Sequence, residues 1–266
     1  MTAFTRRTLV LAASLSLAIL STAQAQTPPV IRVGVTSGPH AEIVEALVPV
    51  AKAKGLTVKV IEFSDGAMIN TATHEGEIEA NAFQHTPYLD GQVKDRRLDL
   101  VSVARTVLLP MAAYSKRYKT LAELPNGAEV AIPNDPTNAG RALKLLETGG
   151  LLSFKPGLGF NTSVLDIVTN PRKLKIRELE ATQIPRSLED VGLAVINTNY
   201  AIRAGLNPLK DSLLRENDLS DYFCLIAVRR KDAEQPWVKV LVEAYRSPEV
   251  RKFVEDKYQG NILAGW

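Results

Sequence analysis

"IRVGVTSGPHAEIVEALVPVAKAKG", residues 31–55, decides the fold class. Ile31–Val35 is rich in β-formers, and Ser37-Gly38-Pro39 marks a turn. Ile43, Leu47 and Val50 then recur at helical spacing until Gly55 stops the run. The unit reads strand, turn, helix. The chain repeats it at once: Leu56–Asp65 alternates as a second strand, Gly66–His74 reads as a short helix, and "EIEANAF", 77–83, as a third strand. Such alternation predicts an α/β protein with a largely parallel sheet and helices on both faces.

A second unit follows "LVSVARTVLLPMAAYS", 100–115, whose strand pattern runs to Pro110 without a turn signal. Ala128–Ile132 reads as a strand, Asn134–Thr137 as a turn, and Ala139–Glu147 as a helix closed by Gly149-Gly150. "KLKIRELE" and "VGLAVINTNY" add two strands around the helical "ATQIPRSLED". "YFCLIAVRR" is another strand, and Trp237–Tyr258 a C-terminal helical segment. No Gly/Pro/Ser-rich linker separates the two units, so strands rather than a tether should join them. A cleft between such units is a common place for a small ligand.

The first residues read as an address. Arg6 and Arg7 precede an apolar run, Thr8–Leu20, and Ala23-Gln24-Ala25 matches a small-x-small cleavage pattern. That run is shorter than the roughly 20 residues a membrane span needs. Residues 1–25 are therefore expected to be a signal peptide, and "TRRTLVL" resembles a twin-arginine export signal. With no cysteine near the cleavage site, the expectation is a protein free in the periplasm without a lipid anchor. Removing this segment leaves 30 Lys+Arg against 29 Asp+Glu. So near-neutral a balance excludes a nucleic-acid or polybasic membrane surface. Cys224 is the one cysteine of the 266 residues, so no intrachain disulfide forms.

Three stretches carry chemistry. In "PNDPTNAGR", Arg141 is expected in the first turn of a helix beginning near Asn138, with Thr137 or Asn138 as cap. There the helix N-terminus and a guanidinium would form an anion site suited to a bidentate carboxylate; alternatively Arg141 is a surface residue. In "AVINTNYA", Asn197 and Asn199 stand where a strand meets a helix, either as ligand amides or as turn residues. In "EANAFQHTPYLD", 79–90, Phe83 and His85 alternate to one side and Tyr88 follows Pro87. They either wall an apolar slot with polar tips or form an aromatic core pair around a hydrogen-bonded histidine. Phosphate-binding glycine loops, His-Glu-x-x-His and Gly-x-Ser-x-Gly are absent, and His40, His74 and His85 show no metal spacing. No cofactor or metal is expected.

Together "VGVTSGPHAEI", "EFSD", "ANAFQHTPYL", "AIPNDPTNAGRALKLL", "LEATQIPRSLEDVGLAVINTNYA" and "SPEVRKFVEDKY" resemble the NlpA/MetQ family across nearly the whole mature chain. These are substrate-binding proteins of methionine ABC importers. The resemblance implies a type II periplasmic-binding-protein fold: two α/β lobes, 28–108 plus 225–266 and 109–224, joined by two crossing strands. It implies a monomer that captures methionine or a related amino acid and delivers it to an inner-membrane permease. Arg141 would pair with the ligand carboxylate, Asn197 and Asn199 would hold its polar end, and Phe83, His85 and Tyr88 would surround the side chain. Two positions depart from the family: Gly66 stands where an aromatic is usual, and Cys224 where an Asn is usual. The alternatives are a receptor for another small zwitterion or peptide, a thiol enzyme using Cys224 with His85, and an adhesin with a vestigial cleft.

Overall fold

The computed structural model describes residues 30–217 and 222–266; the signal segment and its cleavage site lie outside them. The first half contributes β1 (Val30–Thr36), α1 (Pro39–Ala53), β2 (Thr57–Phe63), α2 (Ile69–Glu75), β3 (Ala80–His85), α3 (Thr86–Arg96) and β4 (Leu100–Leu108). The chain then crosses to β5 (Ala112–Tyr114), β6 (Glu129–Pro133), α4 (Pro136–Thr148), β7 (Ser153–Phe154), β8 (Ile167–Thr169) and β9 (Lys175–Leu179). After these come α5 (Ile184–Ser187), β10 (Leu193–Ile196), α6 (Thr198–Arg203) and β11 (Ser212–Arg215). It returns through β12 (Phe223–Arg229) and ends in α7 (Pro236–Tyr245), α8 (Pro248–Tyr258) and β13 (Leu263–Ala264).

Two large sheets result among the described residues, a six-stranded one ordered β13-β4-β12-β3-β1-β2 and a five-stranded one ordered β11-β5-β10-β6-β9, while β7 and β8 pair as a separate two-stranded antiparallel sheet. Parallel pairing holds for β1 with β2 and β3, and for β6 with β9 and β10. It gives way at β12, β13 and β5, each antiparallel to every neighbour. The physical reason lies in the crossings: β5 and β12 are the first strands met after the chain passes between sheets, and each enters its sheet from the opposite end.

Burial follows the residue pattern. In the second sheet Val130, Ile132, Leu193 and Val195 pack on one face with Leu143 and Leu146 of α4. The alternate residues Ala131, Ala194 and Ile196 pack on the other with Ile184 and Leu188. A strand buried on both faces needs an unbroken apolar run, which "LAVI" supplies. In the first sheet the apolar face of α1, Ile43, Val44, Leu47 and Ala51, joins α7 and α8 over the strands. Burying a Leu or Ile side chain stabilises the fold by about 1.5–3 kcal/mol. Pro49 sits inside α1 on its exposed side, where the lost backbone hydrogen bond faces water.

The expected C-terminal helical segment is two helices. Ser247 caps α8 by accepting from Val250 N at 3.3 Å, and Pro248 takes the first helical position, where a missing N–H costs nothing. Among the described residues no helix is long and apolar enough to cross a membrane.

What matters for the site is where the parallel strands end. The carboxyl ends of β1 at Thr36, β3 at His85, β6 at Pro133 and β10 at Ile196 all open on one gap between the sheets, the usual position for a ligand in such folds.

Candidate functional site

That gap is a cavity of about 390 Å³. From the first sheet it receives Gly66, Phe83, His85 and Tyr88; from the second, Asn138, Asn197 and Asn199. Six of the eight residues singled out in the sequence therefore come together. Arg141 and Cys224 are buried and do not line the cavity.

His85 is the pivot. It ends β3 in an extended conformation and caps α3, its imidazole Nδ1 accepting from Tyr88 N at 3.1 Å. The sequence "HTPY" makes this natural, since Pro87 in the first turn needs no donor partner. With Nδ1 acting as acceptor, the neutral ring carries its proton on Nε2, which donates to Asn138 Oδ1 at 3.1 Å. Burial first, and then the nearby Arg141 charge, push the His85 pKa down to about 3, against a smaller opposing effect of the Asn138 hydrogen bond. The ring stays neutral at physiological pH.

Asn138 gathers the second sheet onto this histidine. Its Oδ1 also accepts from Asn197 Nδ2 at 2.8 Å, and its Nδ2 donates to both carboxylate oxygens of Asp135. Asp135, rather than Thr137 or Asn138, caps α4, accepting from Asn138 N at 2.9 Å. The amide orientations of Asn138 and Asn197 are thereby fixed, and the His85–Asn138 bond joins the two lobes across the cleft. Asn197 holds the N-cap position of α6 without a side-chain cap bond, and Asn199 lies inside that helix.

The rings form a connected wall. Phe83 and Tyr88 meet edge to face at 6.0 Å, and His85 meets Tyr88 at 6.1 Å and Tyr222 at 5.0 Å. Gly66 is not an empty place beside them: a Cβ there would lie 2.6 Å from Phe83 Cε2. Its backbone φ is outside the left-handed region, so the Phe83 ring, and not the backbone, is what demands glycine. The two amides of this stretch behave differently from the rings. Asn81 and Gln84 close a buried network with Asn70 and Thr73 that ties β3 to α2. Only Gln84 of that network also borders the cavity.

Arg141 differs from its expected setting. Helix α4 starts at Pro136, so Arg141 lies beyond its first turn. The bidentate partner of its guanidinium is Glu216: Nε donates to Oε1 at 2.8 Å and Nη2 to Oε2 at 2.5 Å, while Nη2 also reaches Leu109 O at 2.9 Å. Burial alone would lower the Arg141 pKa, and the Glu216 charge and hydrogen bonds outweigh it and raise it. The guanidinium also lies 4.3 Å from the Tyr222 ring centre. Glu216 had no local sequence signal, because its partner is 75 residues away. Thr36, Asp65, Asp135, Glu180 and Tyr200, also on the cavity wall, fall inside the quoted stretches but were assigned no role there. Cys224 pairs in register with His85, and burial pushes its thiol up to about 12, the Arg141 charge opposing.

Two lobes with a ligand-sized cleft at the carboxyl ends of their strands define a solute-binding protein. The comparisons agree. The NlpA lipoprotein family model matches residues 31–266. The chain is 47% identical to the D-methionine-binding lipoprotein MetQ of Escherichia coli (strain K12), covering 94% of each chain. It is 43% identical to outer membrane lipoprotein 3 of Mannheimia haemolytica, covering 89% of this chain and 90% of that one. Among solved structures, a nutrient binding protein from Burkholderia cenocepacia bound to methionine superposes with a TM-score of 0.87 at 51% identity, over 89% of this chain and 100% of that one. The chain belongs to the NlpA lipoprotein family. This corrects the expectation of a periplasmic protein without a lipid anchor: the family and its named relatives are lipoproteins, pointing to a lipid-anchored, membrane-associated protein. The earlier expectation rested only on a missing cysteine near the cleavage site.

Proposed function

We propose that this protein binds methionine, or an amino acid closely resembling it, in the cleft between its lobes and delivers it to the permease of an ABC importer. The observation that carries this reading is the pairing, in one cavity, of an aromatic wall from the first sheet with oriented amides from the second. An apolar thioether tail fits the Phe83–Tyr88 side, where sulfur–aromatic contacts are favourable. The polar head fits Asn197 and Asn199. Arg141 does not line the cavity, so for its Nη1 to serve the ligand carboxylate the lobes must rearrange on binding.

Residues 28–108 plus 225–266 and 109–224 act as the two lobes, closing about the crossings, and the protein works as a monomer. It performs no catalysis. A thiol mechanism is disfavoured because burial pushes the Cys224 thiol up to about 12, Cys224 does not line the cavity, and His85, held down to about 3, is too weakly basic to take its proton.

A second reading, a larger zwitterion or short peptide, draws on one observation. A further cavity of about 610 Å³ continues outward and shares Asp65, Glu180 and Tyr200 with the first. The test is calorimetry on protein unfolded and refolded to strip any carried ligand, titrated with L- and D-methionine. Saturable one-to-one binding of either is the expected result; no binding of either, with a methionine-containing peptide bound instead, favours the second reading.

A further inference from the structure

We propose that Thr36 is a ligand-contacting residue, its hydroxyl and the Asn197 carboxamide oxygen taking the ligand's ammonium group from opposite sides of the cleft. The inference rests on the amino-acid-binding reading above and extends it to a residue that the sequence analysis assigned no role.

Thr36 is the last residue of β1, is 2% exposed and lines the cavity. Its Oγ1 is buried without a hydrogen-bond partner, and so is the Oδ1 of Asn197, a residue that lines the same cavity from the other sheet. Buried polar atoms are nearly always paired, so two unpaired ones on residues lining one cavity indicate a partner that arrives from outside the chain. The chemistry of that partner is constrained. Asn197 cannot turn its amide to offer a donor, because its Nδ2 is held by Asn138 Oδ1, and Asn138 is itself held by Asp135. Oδ1 therefore only accepts, and a threonine hydroxyl can accept as well. The partner must donate to both.

The surrounding charge selects a cation among possible donors. Asp65, Asp135 and Glu180 line the cavity, and none of its lining residues among those described is Lys or Arg. His85 is neutral, its Nδ1 already accepting a backbone N–H. The nearby guanidinium of Arg141 is balanced by Glu216. A primary ammonium, with three N–H donors, meets these demands. A ligand whose amine is acylated or missing does not. Because Thr36 and Asn197 belong to different sheets, one ammonium bonded to both would also draw the lobes together.

Calorimetry on the ligand-stripped full chain tests this with two probes, methionine and its desamino analogue 4-(methylthio)butanoate. Thr36→Val keeps the side-chain shape and removes the hydroxyl; Thr36→Ser keeps the hydroxyl. Thr36→Val is expected to weaken methionine by roughly tenfold or more while changing the desamino analogue by less than about twofold, and Thr36→Ser to restore tight methionine binding. Thermal unfolding followed by circular dichroism checks that both variants fold. Unchanged methionine affinity in Thr36→Val, or an equal loss for both probes, overturns the role of Thr36 while leaving amino-acid binding in place. A wild type that binds neither probe instead sinks the amino-acid reading, and the Thr36 assignment with it.

Discussion

Gly66 and Phe83 illustrate how a single missing side chain can shape a wall. The ring lies where any Cβ at position 66 would intrude, at 2.6 Å, so position 66 adds no side chain to the aromatic wall that Phe83 shares with Tyr88. Gly66→Ala should displace that ring, costing about 1–3 kcal/mol in overpacking. Ligand affinity should fall with it. Urea denaturation and calorimetry on the same preparation measure the two effects, and an unchanged affinity would show that Phe83 does not face the ligand. Asn138 makes the complementary point. It is the acceptor for both His85 and Asn197, and Asn138→Leu leaves two buried donors without partners. Each orphaned group costs about 1–3 kcal/mol, a loss that the urea midpoint should register.

Helix α4 shows the same residues working as part of an element. Asp135 accepts the helix N-terminal N–H of Asn138 and also fixes the Asn138 side chain and the Thr137 hydroxyl. Asp135→Ala removes a cap worth about 1 kcal/mol. It should weaken ligand binding as well, because the amide that orients Asn197 loses its anchor. A cap with no link to the site would lower the unfolding midpoint and leave binding intact. Gly140 lets this helix approach the segment after it: a Cβ there would lie 2.6 Å from Phe160 O. In β3, Asn81 and Gln84 are spent on the network with α2, so the polarity of that strand serves the fold as much as the cleft.

On the scale of the whole molecule, the Arg141–Glu216 pair joins the passages between the sheets. Arg141 reaches Leu109 O, and Glu216 accepts from Met111 N at 2.8 Å while donating its own N–H to Met111 O at 2.9 Å. Breaking one side of such a buried pair strands a charge, so Glu216→Ala should cost about 3–5 kcal/mol in denaturant unfolding. The double change to apolar residues should cost less, because no charge is left alone.

The histidines set a pH dependence. Burial holds His40 at about 4 and His85 at about 3, both below the unfolded value of 6.5. Between pH 6.5 and about 4 the unfolded chain binds more protons than the native one. Stability should therefore fall as pH drops through that window, by about 1.4 kcal/mol per pH unit for each histidine, and should not vary with pH on their account above it. Urea midpoints at pH 7 and pH 5 measure the slope. Equal midpoints would mean that these rings become charged without resistance.

Residues 31–55 and 128–147 already dictated α/β units, since hydrophobic period and turn residues are local properties. The motif string likewise placed Phe83, His85, Tyr88, Asn197 and Asn199 in one neighbourhood, and the cavity holds all five. What no reading along the chain could reach was which partner each polar group takes. Glu216 filling the Arg141 fork, Asn138 joining His85 to Asn197, and Thr36 left unpaired all depend on groups brought together from distant segments. Secondary structure arises from interactions a few residues apart and is written in periodicity. Satisfaction of buried charges and amides is settled only when two sheets fold against each other and exclude the water that would otherwise have answered every donor and acceptor.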